Sequence, residues 1–231
     1  MAAYAVSDIH GHYPLWQKVK EFLLPDDMLF VLGDCADRGS KGWQIIKEVI
    51  SDPRCYYLKG NYEDMLAKTM KEWENEDLDI NFHHLMSNGG YETFNDYKSE
   101  DPKFSAEWRR RLEKLPEIAV YRNLHGQEIY LTHAGYTPSV EKRWIDFLWG
   151  RDHFGDSWPE EEIFENVIMV HGHTPTDCIA EELGLRPADW EVGAFWYCDD
   201  HKVCIDNGTH WSNSLTLLDL NTWEEQIFCA E

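Results

Sequence analysis

Residues 3–11 read Ala-Tyr-Ala-Val-Ser-Asp-Ile-His-Gly, a short apolar run that ends in Asp8, His10 and a glycine. Ala3–Val6 has the length and texture of a buried strand. The same pattern returns twice. Met28–Leu32 leads into Gly33-Asp34, and Cys55–Leu58 into Gly60-Asn61. Between these runs, Pro14–Leu23 carries Leu15, Trp16, Val19 and Phe22 at helical spacing. Gly42–Ile50 reads as a second helix, closed by Asp52-Pro53, and Glu63–Glu74 opens a third. Strands alternating with helices predict an α/β fold with parallel strands.

Outward from this core the texture changes. Residues 75–116 are polar, acidic and helical, with a Ser-Asn-Gly-Gly turn at 87–90, and read as a helical insertion. Beyond Pro116 the chain is strand-rich. Ile118–Arg122 and Glu128–Leu131 fit a hairpin around 123–126. Val167–Val170, Val203–Ile205, Leu215–Leu218 and Glu225–Phe228 are further strands. No repeat or low-complexity segment interrupts the chain. We therefore expect one domain over residues 1–231, parallel in its first half and more antiparallel in its second.

The chain has 21 basic and 43 acidic residues among 231, a net charge of −22. That balance argues against a nucleic-acid or anionic-membrane partner, which needs clustered Lys and Arg. It leaves room for a small anionic substrate, because bound cations reverse the local sign. Six cysteines form no C-x-x-C pair, so they read as reduced thiols. No segment resembles a signal peptide or the ~20 apolar residues of a membrane helix, and a cytoplasmic location is the expectation.

The strand ends carry the chemistry. Ligands of open α/β sheets sit beyond the carboxyl ends of the strands. Three such ends gather Asp8, His10, Asp34 and Asn61 on one rim. Two later segments repeat the pattern: Thr132-His133-Ala134-Gly135, and His171-Gly172-His173-Thr174-Pro175. One Asp or His at a strand end is ordinarily a cap or a satisfied core residue. Five such ends in one chain, each with a metal-binding side chain, point to a metal site. Mixed imidazole and carboxylate ligands suit Mn, with Fe or Zn as alternatives. One carboxylate bridging two cations ~3.5–4 Å apart is the usual two-metal arrangement.

In order, these motifs are Ser-Asp-Ile-His-Gly, Gly-Asp-x-x-Asp-Arg-Gly, Gly-Asn-x-Glu, His-x-Gly and Gly-His-Thr-Pro. Together they resemble the phosphoprotein phosphatase branch of the calcineurin-like phosphoesterases. The likeness is greatest to its small bacterial members, which include Ser/Thr phosphatases and symmetrical dinucleoside tetraphosphate hydrolases. Asn88-Gly89-Gly90 with Thr93, and 148–152 (Leu-Trp-Gly-Arg-Asp), resemble the same branch.

The resemblance implies two facing mixed β-sheets flanked by helices, with the metal site at the strand C-terminal ends. It implies that Asp8 and His10 bind a first divalent ion, that Asp34 bridges, and that Asn61, His133 and His173 complete the second. Arg38 and Arg151, with Asn61, would hold the substrate phosphate. Guanidinium forks match phosphate oxygens in any case. The implied activity is hydrolysis of phosphate esters by a dinuclear-metal-activated hydroxide. The implied substrates are a phosphorylated protein or a small phosphate ester or anhydride. The alternatives are a dinucleoside polyphosphate hydrolase and a catalytically impaired phosphate-binding or regulatory module. Such chemistry needs no thiol nucleophile, so Cys35 beside Asp34 reads as a packing residue.

One residue departs from the pattern. Where the family has Gly-Asn-His-Glu, this chain has Gly60-Asn61-Tyr62-Glu63. The missing His is the family's general acid, paired with the aspartate at Asp37. A phenol of pKa ~10 is a poorer donor than an imidazolium of ~6.5. General acid catalysis is typically worth about 10²–10⁴-fold. Three readings follow. Tyr62 donates its own proton, oriented by Asp37; His12 or His171 substitutes; or the chain mainly binds. The first gives a working, slower enzyme that favours good leaving groups.

Overall fold

The computed structural model describes residues 1–138 and 143–230. The chain runs β1 (Ala3–Val6), α1 (Tyr13–Phe22), β2 (Met28–Val31), α2 (Gly42–Ser51), β3 (Cys55–Tyr57) and α3 (Asn61–Glu74). Three helices follow: α4 (Ile80–Ser87), α5 (Tyr91–Lys98) and α6 (Pro102–Glu113). The rest is β4 (Ile118–Arg122), β5 (Glu128–Thr132), α7 (Trp144–Trp149), β6 (Val167–His171), α8 (Thr176–Glu182), β7 (Phe195–Tyr197), β8 (Lys202–Cys204), α9 (Thr209–Ser212), β9 (Ser214–Asp219) and β10 (Glu225–Cys229).

Two five-stranded sheets result, in the orders β10-β9-β1-β2-β3 and β4-β5-β6-β8-β7. In the first, β1, β2 and β3 are parallel, and β9 pairs antiparallel with β1 and β10. In the second, β5, β6 and β8 are parallel, while β4 and β7 add antiparallel edges. The second half is thus mixed. Its parallel centre escaped the sequence reading, because short strands at loop-separated intervals look alike whichever way they pair.

Period-two alternation explains the layering. Ala3, Ala5 and Phe30 face the second sheet and meet Ile129, Leu131, Ile168, Val170 and Val203 in the seam. Val6, Leu29 and Val31 face the other way, onto Leu15, Trp16 and Val19 of α1 and Trp43, Ile46 and Val49 of α2. Small Ala3 and Ala5 leave room for the branched side chains opposite. Trp16 and Trp43 are wholly buried, and truncating either to Ala would cost roughly 3–5 kcal/mol.

Residues 75–116 contain three helices, α4, α5 and α6. The Glu72 carboxylate starts α4 by accepting from the backbone N–H groups of Asp79, Asn81 and Phe82. Asp101 caps α6 by accepting from Lys103 N at 2.9 Å, with Pro102 in the first turn. Among the described residues no helix is long and apolar enough to cross a membrane.

Candidate metal centre and its cleft

β1 and β2 each end in a sharp turn. Asp8, His10, Asp34, Asp37 and Arg38 all have positive φ, between 47° and 64°. Left-handed backbone is unfavourable for such residues and persists where neighbours enforce it. The main enforcer is Glu63. Wholly buried, its carboxylate accepts from Asp34 N at 2.7 Å, Cys35 N at 3.0 Å, Ala36 N at 3.3 Å and Gly60 N at 3.0 Å. One side chain therefore ties the β2 turn to the start of α3. That helix begins at Asn61, two residues earlier than the sequence reading placed it, so Asn61 sits in its first turn.

The six expected ligands converge. Asp34 is common to two buried groups whose ligand atoms all lie within 4.8 Å of one another: Asp8, His10 and Asp34, and Asp34, His133 and His173. His133 Nε2 lies 2.8 Å from Asn61 Oδ1, 3.2 Å from His173 Nδ1 and 3.4 Å from Asp34 Oδ2. Asn61 Oδ1 is also 3.1 Å from His173 Nδ1. His10 Nε2 stands 3.7 Å from Asp8 Oδ1 and 3.8 Å from Asp34 Oδ2.

Two of the three imidazoles are oriented from behind. His10 Nδ1 donates to Ala36 O at 3.0 Å, and His133 Nδ1 donates to Leu32 O at 2.7 Å. Both bonds leave Nε2 as a lone pair aimed inward, the usual second-sphere arrangement of a metal-bound histidine. Burial holds His10 and His173 well below the ordinary imidazole pKa, so they are neutral and able to ligate. Burial, then the Asp8 charge, pushes Asp34 well above the usual carboxylate range. Lone pairs and carboxylates crowded in a dry pocket repel one another, and divalent cations remove that conflict. The donor set therefore fits two such ions.

The two sheets meet here. Asp8 Oδ2 accepts from Ser7 Oγ and, across the seam, from His173 N at 2.9 Å. Gly172 makes this approach possible, because a Cβ there would collide with Ser7 Oγ and Asp8 Oδ2.

A cleft of about 240 Å³ opens over the centre, lined by His10, Asp34, Asn61 and His173 with Arg38, Tyr62, Trp149, Arg151, Asp206 and Trp211. Arg38 donates from Nε and Nη2 to Tyr62 Oη at 2.9 and 2.7 Å, and its guanidinium carbon lies 5.2 Å from the Tyr62 ring centroid. Exposed Arg151 donates from Nε to Thr174 Oγ1 at 3.0 Å. Tyr62 itself is driven above its ordinary pKa, chiefly by burial, and keeps its proton at neutral pH.

Other expectations need adjusting. Asp37 does not orient the Tyr62 hydroxyl; Arg38 occupies that position. The Asp37 carboxyl is buried with neither oxygen in a well-formed hydrogen bond, and burial raises its pKa to about 7. His171 is wholly buried, with Nε2 2.8 Å from Tyr197 Oη and Nδ1 3.0 Å from Gly172 O, and does not line the cleft. His12 lies outside the lining too, its ring 6.4 Å from that of His210. Cys35 is buried, and its pKa is driven well above the ordinary thiol value by burial.

Three residues here escaped the sequence reading. Glu63 closes the Gly-Asn-x-Glu motif, where nothing in the sequence marks it as a buried acceptor. Asp206 follows Ile205 and precedes Gly208, the strand-end signal used for the other motifs. It is buried in the cleft wall, accepts from Gly208 N at 2.8 Å, and is raised well above the usual carboxylate pKa by burial, then by Asp8. Trp211 carried no sequence signal.

A two-sheet sandwich with this ligand cluster defines a metallophosphoesterase. The calcineurin-like phosphoesterase profile matches residues 1–205, and the chain belongs to that family. It is 24% identical over 198 residues to an asymmetrical bis(5'-nucleosyl)-tetraphosphatase of Anoxybacillus flavithermus, covering 74% of this chain and 77% of that protein. Its fold is similar to a crystal structure described as a candidate diadenosine tetraphosphatase, with TM-score 0.64, 15% identity, and coverage of 98% of this chain and 92% of the other. It is also similar to a Saccharomyces cerevisiae protein serine/threonine phosphatase, with TM-score 0.62, 12% identity, and coverage of 100% and 80%. At these identities the structural likeness concerns the fold.

Proposed function

We propose that this phosphoesterase hydrolyses phosphate monoesters, as a Ser/Thr phosphoprotein phosphatase-like enzyme with a weakened proton donor. The observation that carries the reading is the sharing of Asp34 by two buried ligand groups. Asp8, His10, Asp34, Asn61, His133 and His173 would hold two divalent ions, Mn by preference with Fe or Zn as alternatives, since the ligand set suits all three. When bound, the ions supply a nucleophilic hydroxide at neutral pH and offset charge on the phosphoryl oxygens.

The chain's own residues do the rest. Arg38 and Arg151 face the cleft and, with the Asn61 amide, hold the phosphate. Tyr62 accepts both Arg38 N–H groups, which fixes the guanidinium plane and leaves the phenol proton for the departing oxygen. Asp37 lies behind, and its charge adds to the Tyr62 shift without touching the hydroxyl. A phenol above pKa ~10 protonates an alkoxide slowly, so esters with good leaving groups react best. Six free cysteines fit a reducing, cytoplasmic setting.

The name of the Anoxybacillus relative favours a second reading, a dinucleoside polyphosphate hydrolase. A panel with Mn added, containing an aryl phosphate, a phosphoserine peptide and a diadenosine polyphosphate, separates the two. Preferred turnover of the diadenosine substrate would move the assignment. Tight metal and phosphate binding with no turnover on any substrate would leave an impaired binding module. Elemental analysis showing no divalent metal before or after reconstitution would sink both enzymatic readings.

A further inference from the structure

The cleft over the ligand cluster has a polar floor and aromatic walls. Trp211 is 55% exposed, yet it is firmly seated. Gly208, at φ +63°, lies directly beneath it, where a Cβ would collide with the indole Cε2, Cζ2 and Nε1 atoms. The ring therefore rests on bare backbone, and only glycine adopts that conformation without strain. Trp149 is held by other contacts. Its ring stacks on His84 with centroids 5.6 Å apart and planes 13° apart, and it meets His173 edge-on at 6.0 Å. Two fixed indoles thus border a cavity of about 240 Å³ whose floor binds phosphate in the reading above.

The charge inventory is equally pointed. Arg38 and Arg151 are the only Lys or Arg side chains lining this cleft among the described residues, and Asp34 and Asp206 line it too. Two guanidinium groups match a single phosphate. Among the described residues no further Lys or Arg lines the cleft to receive a second or third.

We propose that the cleft selects monoesters whose phosphate is carried directly on a planar aromatic ring, with Trp211 and Trp149 as the specificity-determining contacts. The proposal rests on the phosphoesterase reading of the same site. Aromatic rings reach phosphates in phenolic esters and in nucleotides. The single-phosphate charge inventory favours the phenolic ester. So does Tyr62, because a phenolate of pKa ~10 leaves without the strong acid that an alkoxide needs. In the reaction a P–O bond forms from water and the P–O bond to the ring breaks. The phenolate departs with the electron pair and takes up the proton released by the water.

Direct binding tests this without turnover. The Mn-loaded protein is titrated calorimetrically with methylphosphonate, phenylphosphonate, an adenosine 5'-phosphonate and inorganic phosphate. Phenylphosphonate should bind about five- to tenfold tighter than methylphosphonate, the range expected of one aromatic contact. In Trp211→Ala that ratio should fall below about twofold, and in Trp211→Phe most of it should return. The ratio is internal to each protein, so a variant with fewer active molecules still reports it. A native ratio near one, or a ratio unchanged in Trp211→Ala, overturns the proposal. Tighter binding of the adenosine compound than of phenylphosphonate overturns the phenolic assignment in favour of nucleotides. If neither inorganic phosphate nor any phosphonate binds, the phosphoesterase reading itself fails, a result distinct from a flat ratio with all ligands bound.

Discussion

The ligand centre and the leaving-group flank of the cleft, one residue apart at Asn61 and Tyr62, are built in opposite ways. At the centre Asp8, His10, Asp34 and His133 are each held by a group outside the candidate ligand set. His10 and His133 are tied to backbone carbonyls, Asp8 to His173 N, and the β2 turn to Glu63. On the flank, Asp37 has no well-formed hydrogen bond and Tyr62 Oη accepts two from Arg38. The centre is fixed by geometry that any phosphoester chemistry needs. In the proposed reading the flank sets which leaving group can go.

The sharpest way to break this contrast is at Asp34. Asp34→Ala should cost about 10³-fold or more in kcat/KM and lower the bound metal measured by elemental analysis, because both groups lose their shared member. Full metal content with native activity would dissolve the idea of one bridging carboxylate. Arg38→Ala should cost about 10²–10³-fold through loss of phosphate and transition-state contacts, read from steady-state kinetics on an aryl phosphate.

Tyr62 tests the flank alone. Tyr62→His should raise the rate on a phosphoserine peptide by about tenfold or more while moving the aryl phosphate rate much less. An unchanged phosphoserine rate would discard the missing-acid explanation. Tyr62→Phe keeps the ring but frees Arg38, and should raise KM by about tenfold with a smaller change in kcat.

Asp37 tests the flank through stability rather than rate. Its folded pKa of about 7 lies above the ordinary value of 3.8. Between those values the folded state holds a proton that the unfolded chain releases, so stability falls as pH rises. Denaturant unfolding of the metal-free protein and of Asp37→Asn, at pH 4 and pH 8, should show the native chain losing about 2–4 kcal/mol relative to the variant. Parallel pH profiles would mean that Asp37 titrates normally.

Much of this was legible in the sequence. Ala3–Val6, Met28–Leu32 and Val167–Val170 are apolar runs that stop at a polar residue beside glycine, and physics leaves such runs few options but buried strands. The candidate ligands sit at those stops, so reading the strands also gathered them. β7 was missed because Phe195–Tyr197 is three residues of edge strand, too short to show alternation. Asp206 carried the right signal at Asn207-Gly208 but lay outside the five quoted motifs. The Arg38–Tyr62 bond was out of reach: the residues are 24 apart, and only the packing of α3 against the β2 turn brings them together. The expected Asp37–Tyr62 pairing failed for the same reason.

The hydrogen bonds from His133 to Leu32 and from His173 to Asp8 each cross from one sheet to the other. The ions would therefore sit in the joint between the two halves of the molecule and act as its clasp. A ligand that binds only the folded form adds about 2.7 kcal/mol at a hundredfold excess over its Kd. Removing the ions would then loosen the joint between the sheets as well as stop the chemistry.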